Sequence, residues 1–95
     1  MASLSWSAVA KNDLKEIFEY IARDSKYYAE SFVKRIQQET KNLRCFPKIG
    51  RIVPETNNEN IREIIFQNYR IIYKINKNEI IIATIFHAAR ILKDV

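Results

Sequence analysis

Residues 61–90 read IREIIFQNYRIIYKINKNEIIIATIFHAAR, three runs rich in β-branched residues separated by Gln67-Asn68 and by Asn76-Lys77-Asn78. Apolar runs with short polar breaks predict a three-strand antiparallel meander, the second break turning through asparagines that tolerate φ > 0. Ile80-Ile81-Ile82 shows no alternation, which predicts a central strand whose second face is at least partly covered. Arg62, Arg70, Lys74, His87 and Arg90 are set into these strands, and no acidic residue lies between Glu63 and Glu79. Clustered cations on a sheet predict a surface for something anionic; for each residue alone, an ordinary solvent-facing position is the plain alternative.

Outward from this stretch, the 95 residues suffice for one domain, 1–95, with a single modest core. Sixteen Lys and Arg against eleven Asp and Glu leave +5, a balance that suits RNA, DNA or an acidic protein segment. Residues 1–50 carry 9 basic and 6 acidic groups and residues 51–95 carry 7 and 5, so any basic patch has to be made by folding. One Cys and one His exclude an internal disulfide and a Cys/His metal site. Cys45, beside Phe46 at a helix end, is expected to be a buried small apolar residue. No basic segment followed by an apolar run opens the chain and no run approaches the ~20 residues of a membrane span, so a cytoplasmic protein with no membrane partner is expected.

Leu4-Ser5-Trp6 alternates and is short, as an edge strand joining the later sheet would be. Ser7 offers an N-cap to a helix over about residues 8–23, whose Ala10, Leu14, Ile17, Phe18 and Ile21 recur at helical spacing. Asp24 or Ser25 caps a second helix with the stripe Ala29, Phe32, Val33, Ile36, Thr40 and Leu43, closed by Pro47. Their short connection predicts an antiparallel hairpin. Tyr20, Tyr27 and Tyr28 are left facing outward. Gly50, the only glycine, is expected where the backbone needs an unusual φ, and residues 54–60 form a polar loop. The order β-α-α-β-β-β predicts an α+β fold in which the helical hairpin packs on a small, mostly antiparallel four-stranded sheet.

Trp6-Ser7-x-x-Ala10-x-x-Asp13-Leu14-x-x-Ile17-x-x-Tyr20-Ile21, Phe46-Pro47-x-x-Gly50-Arg51-x-Val53-Pro54-Glu55, Ile61-Arg62-Glu63-Ile64, Tyr69-Arg70-Ile71-Ile72-Tyr73 and His87-Ala88-Ala89-Arg90, taken in order, resemble the RelE/ParE superfamily of type II toxin-antitoxin toxins over nearly the whole chain. The resemblance implies a small cytoplasmic growth inhibitor held inactive by a cognate antitoxin encoded in the same operon, with operator DNA bound only through the complex. The opening helix and the closing His-Ala-Ala-Arg look more like ParE proteins, which act on DNA gyrase and are not known as nucleases. A RelE-like member would instead cut mRNA on the ribosome, and YoeB-type nucleases use a loop glutamate, a middle-strand arginine and a strand-end histidine. Glu55, Arg70 and His87 match those positions, although the aromatic residue following that histidine is Ala88 here.

Under the nuclease reading, Glu55 or His87 is the base for a 2′-hydroxyl, His87 the acid, and Arg70 the phosphate clamp, with no metal and no cofactor. Arg51, Arg62, Lys74 and Arg90 are then the phosphate- or target-binding cations. Under the gyrase reading the protein is not an enzyme. A third reading is an inactive homologue that serves only in antitoxin and operator binding.

Overall fold

The computed structural model describes residues 1–89. It contains strand β1 (Ser3–Trp6), helices α1 (Ala8–Ala22) and α2 (Lys26–Lys41), a 3₁₀ turn (Asn42–Arg44), and strands β2 (Arg51–Ile52), β3 (Ile61–Phe66), β4 (Tyr69–Asn76) and β5 (Glu79–His87). The strands form one sheet in the order β1-β5-β4-β3-β2. Only the β1–β5 pair is parallel; the other three are antiparallel. The α+β class, the helical hairpin and the edge position of β1 agree with expectation. The sheet has a fifth strand, because β2 is two residues long and so carries too little alternation to be read as a strand.

Ser7 both ends β1 and starts α1. Its N–H donates to Ile82 O at 2.9 Å, its hydroxyl donates to Ala83 O at 2.8 Å and the same oxygen accepts from Ala10 N. One side chain thus caps the helix and ties it to β5. Ser25 caps α2 by accepting from Tyr28 N at 3.0 Å. The chain turns from β3 to β4 at Gln67 (φ 53) and from β4 to β5 at Lys77 (φ 57). It is the lysine, not the flanking asparagines, that adopts the left-handed conformation at the second turn.

Helix residues Ala10, Phe32, Ile36 and Leu43 meet Phe66, Ile71, Tyr73, Ile80, Ile82 and Ile85 in the main core, with Leu14, Ile17 and Ile21 packed against it. Each fully buried isoleucine there contributes on the order of 1.5–3 kcal/mol. Ile80 and Ile82 face the helices in β5, which lies between β1 and β4, and Ile81 on the reverse side is half-buried.

Two single-residue expectations are overturned. Cys45 is exposed, because the last turn of α2 tightens into the 3₁₀ turn before it and points it out. Gly50 does not have a positive φ; glycine is needed there for space. A Cβ at Gly50 would lie 2.5 Å from Glu63 O and 2.6 Å from the Tyr73 hydroxyl oxygen. The Tyr73 hydroxyl accepts from Gly50 N at 3.0 Å and donates to Pro47 O at 2.7 Å, so the turn is clamped onto β4 by a side chain from the sheet.

Candidate functional site

Strand register decides which charged residues meet. Glu63 pairs with Ile72 and Ile65 with Arg70 across β3 and β4, and Arg70 pairs with Phe86 across β4 and β5. Side chains alternate between the faces of a strand, so Glu63, Arg70, Ile72 and Lys74 share the face turned away from the helices. On that face Glu63, Arg70 and Ile72 are all buried, and so is Val53 of the loop that follows β2. The loop therefore folds back over the sheet.

A chain of four charges holds it there. The Glu63 carboxylate, with a side chain 0% exposed, accepts from Arg51 Nε and from Arg70 Nε, each at 2.5 Å. The Arg70 guanidinium reaches on to Glu55, its Nη1 and Nη2 donating to the two carboxylate oxygens at 2.7 and 2.8 Å. This bidentate fork is the strongest neutralising geometry available to an arginine. The Glu55 hydrogen bonds raise the Arg70 pKa above its ordinary value; burial opposes them, and Glu63 adds to the rise. The Phe86 ring lies 5.3 Å from the guanidinium carbon.

The expectation of one cationic surface for an anion is therefore corrected. Acidic residues do neutralise the middle of the sheet, but they come from neighbouring strands and loops rather than from between positions 63 and 79. Arg62 stands opposite Tyr73 and hence on the other face from Arg70. There it donates to the carbonyls of Glu59 at 2.8 Å and Gly50 at 2.9 Å, bracing the two ends of the loop. Arg51 is the solvent end of the charge chain, with a side chain 63% exposed. Lys74 shares the face of Arg70, is half-buried and joins no ion pair among the described residues. Arg90 lies outside the described residues.

Of the three residues assigned to catalysis under the nuclease reading, the structure brings two together. Glu55 is on Arg70. His87 pairs with Tyr69, one position out of phase with Arg70 and so on the opposite face, where its ring meets Tyr69 edge-on at 5.9 Å. Its Nδ1 accepts from Ala89 N at 3.2 Å, which leaves Nε2 as the donor nitrogen. Among the described residues no group of three His, Cys, Asp or Glu side chains is placed to hold a metal ion, and no helix is long and apolar enough to cross a membrane.

Two residues were missed by sequence reasoning. Glu63 organises both arginines, and the sequence hint is a carboxylate set between apolar Ile61 and Ile65 on one face of β3. Asp13, in the first half of α1, accepts from Thr84 Oγ1 at 2.6 Å and Ile85 N at 3.0 Å. It satisfies the margin of β5 beyond the point where β1 stops, beside the register shift between Ile72 and Tyr73. By sequence it falls on the polar side of α1, opposite the apolar stripe, which gives no sign of a partner in the sheet.

Two helices thus lie on one face of this sheet, and a charged loop lies on the other. Among solved structures, a chain of the chromosomal ParDE TA system from P. aeruginosa superposes with a TM-score of 0.76 at 23% identity, the match covering 92% of this chain and 96% of that one; at that identity the likeness speaks for the fold. No curated protein matches the chain. The family model described as the ParE toxin of the type II toxin-antitoxin system, parDE, matches residues 4–92. The chain belongs to the ParE toxin family, and membership implies a cognate antitoxin as partner.

Proposed function

We propose that the protein arrests bacterial growth when free of its antitoxin by acting on DNA gyrase through protein-protein contact, from the cytoplasm, without catalysing a reaction. The observation that carries this reading is the separation of the groups a nuclease would need. Arg70 is committed to two carboxylates, and His87 is on the far face of the sheet. Metal-independent RNA cleavage needs an acid, a base and positive charge converging on one phosphate, and Glu55 sits on the arginine that would supply the charge. Family membership supports the same reading. Operator DNA is bound through the antitoxin complex.

The contact between Glu55 and Arg70 favours a second reading, in which that pair is the resting form of a ribosome-dependent mRNA endonuclease. Inducing the chain alone in a bacterial host, with parallel labelling of DNA and protein synthesis, separates the two. The gyrase reading expects DNA damage and an SOS response before translation falls, and expects His87→Ala, at an exposed position, to remain toxic. Prompt arrest of translation with intact chromosomes, abolished by His87→Ala, overturns it in favour of the nuclease. Unchanged growth on induction would leave only antitoxin and operator binding.

A further inference from the structure

On the face opposite the charge chain, where the end of β5 meets α1, lies a notch of about 330 Å³ whose lining includes Asp13, Glu16, Ile17, Tyr20, Tyr69 and His87. Its volume is at the low end of the range of ligand pockets, about 300–1,000 Å³, which is room for one long side chain. In a protein of net charge +5 its lining among the described residues contains two carboxylates and no lysine or arginine.

The carboxylates are only partly used. Asp13 accepts both of its hydrogen bonds on Oδ2, and Glu16 accepts from Asn12 on Oε1. Asp13 Oδ1 and Glu16 Oε2 have no partner among the described residues. Positions 13 and 16 are three apart on a helix and so lie on one side of it. The Tyr20 ring already meets one guanidinium, that of Arg23 at 5.8 Å from its centroid, and the Tyr69 and His87 rings form a T-shaped pair with an interplanar angle of 73°. His87 contributes a ring held by the Ala89 N–H.

Carboxylate oxygens beside aromatic rings are the recognition chemistry of an organic cation. A planar guanidinium stacks on a ring and forks to a carboxylate at once, which an ammonium does not. The same lining repels phosphate, so a nucleic acid is not the occupant. We propose that this notch binds an arginine side chain presented by a partner protein. The notch shares Phe86 with the Arg70 cluster but none of that cluster's charged residues, and the proposal holds whichever target the toxin acts on.

The test is titration of the isotopically labelled full chain with N-acetyl-arginine methylamide, followed by the amide shifts of Glu16, Tyr69, Ile85 and His87. The neutral N-acetyl-glutamine methylamide serves as control. The arginine probe is expected to move these four amides saturably and the glutamine probe to leave them in place. Glu16→Gln and Tyr20→Ala, both at exposed positions, are each expected to weaken the arginine probe about threefold, whereas Tyr27→Ala, exposed and outside the lining, has no effect. Absence of saturable shifts, equal shifts with the glutamine probe, or equal affinity in the Glu16 and Tyr20 variants overturns the proposal.

Discussion

On the helix side of the sheet, Ile71, Tyr73, Ile80, Ile82 and Ile85 meet Phe32 and Ile36 in a core of hydrocarbon and aromatic rings. On the other side Glu63 and Arg70 are as deeply hidden, yet they are held by charge. The first face would be recovered by any sequence that kept its volume and pattern. The second works only if three chain segments bring Arg51, Glu63, Arg70 and Glu55 into one line, since a buried charge without its partner is severely penalised. Tolerance to substitution should therefore differ between the two faces.

The sharpest way to break that contrast is Glu63→Gln, which keeps the shape and removes the charge between two arginines. It is expected to cost about 3–5 kcal/mol, measured by denaturant unfolding, and to release the loop after β2 so that its amides exchange faster than those of α2. The double change Glu63→Leu with Arg70→Met should recover much of the loss if the charge chain supplies specificity rather than net stability. A double variant as unstable as the single one would mean that the charges themselves hold the loop.

Gly50→Ala tests the hinge between the two regions. The added carbon would press on the Glu63 carbonyl and the Tyr73 hydroxyl, with an expected loss of about 1–3 kcal/mol that arises from crowding and not from a special backbone angle. Equal stability of the alanine variant would show that the turn can shift without disturbing either face.

The smallest effect concerns Tyr73, whose ring lies in the helix-side core while its hydroxyl clamps the loop. Tyr73→Phe should cost about 1 kcal/mol at neutral pH, with Gly50 N and Pro47 O losing their partner. Burial raises the Tyr73 pKa above the ordinary 10.0, against opposing effects of Gly50 and Arg62. Because the folded state favours the protonated phenol, this contribution is complete below pH 10 and is lost as pH rises through the elevated value. Alkaline unfolding followed by tyrosinate absorbance should show that decline in the parent protein, and it should be smaller in the phenylalanine variant.

Much of the helix side was legible because period and position coincide there. Of the stripe Ala29, Phe32, Val33, Ile36, Thr40 and Leu43, all are buried except Val33, which is half-buried; Ser7 caps α1, and of the two candidates Asp24 and Ser25 it is Ser25 that caps α2. The outer face was not legible, for a definite reason. Whether Arg70 sits beside Glu63 or beside His87 depends on register, and a slip of one residue exchanges the faces. Glu55 reaches Arg70 from a loop whose path no local pattern encodes. Gly50 was correctly singled out but for the wrong reason, since the constraint comes from Tyr73, 23 residues away.

The short margins of the sheet have a consequence for how the free protein behaves at high concentration. At one end β2 offers two residues of backbone, and at the other β1 offers four. Strands this brief give a second molecule little to template on, so copies released together should stay separate long enough to find a target instead of polymerising with one another.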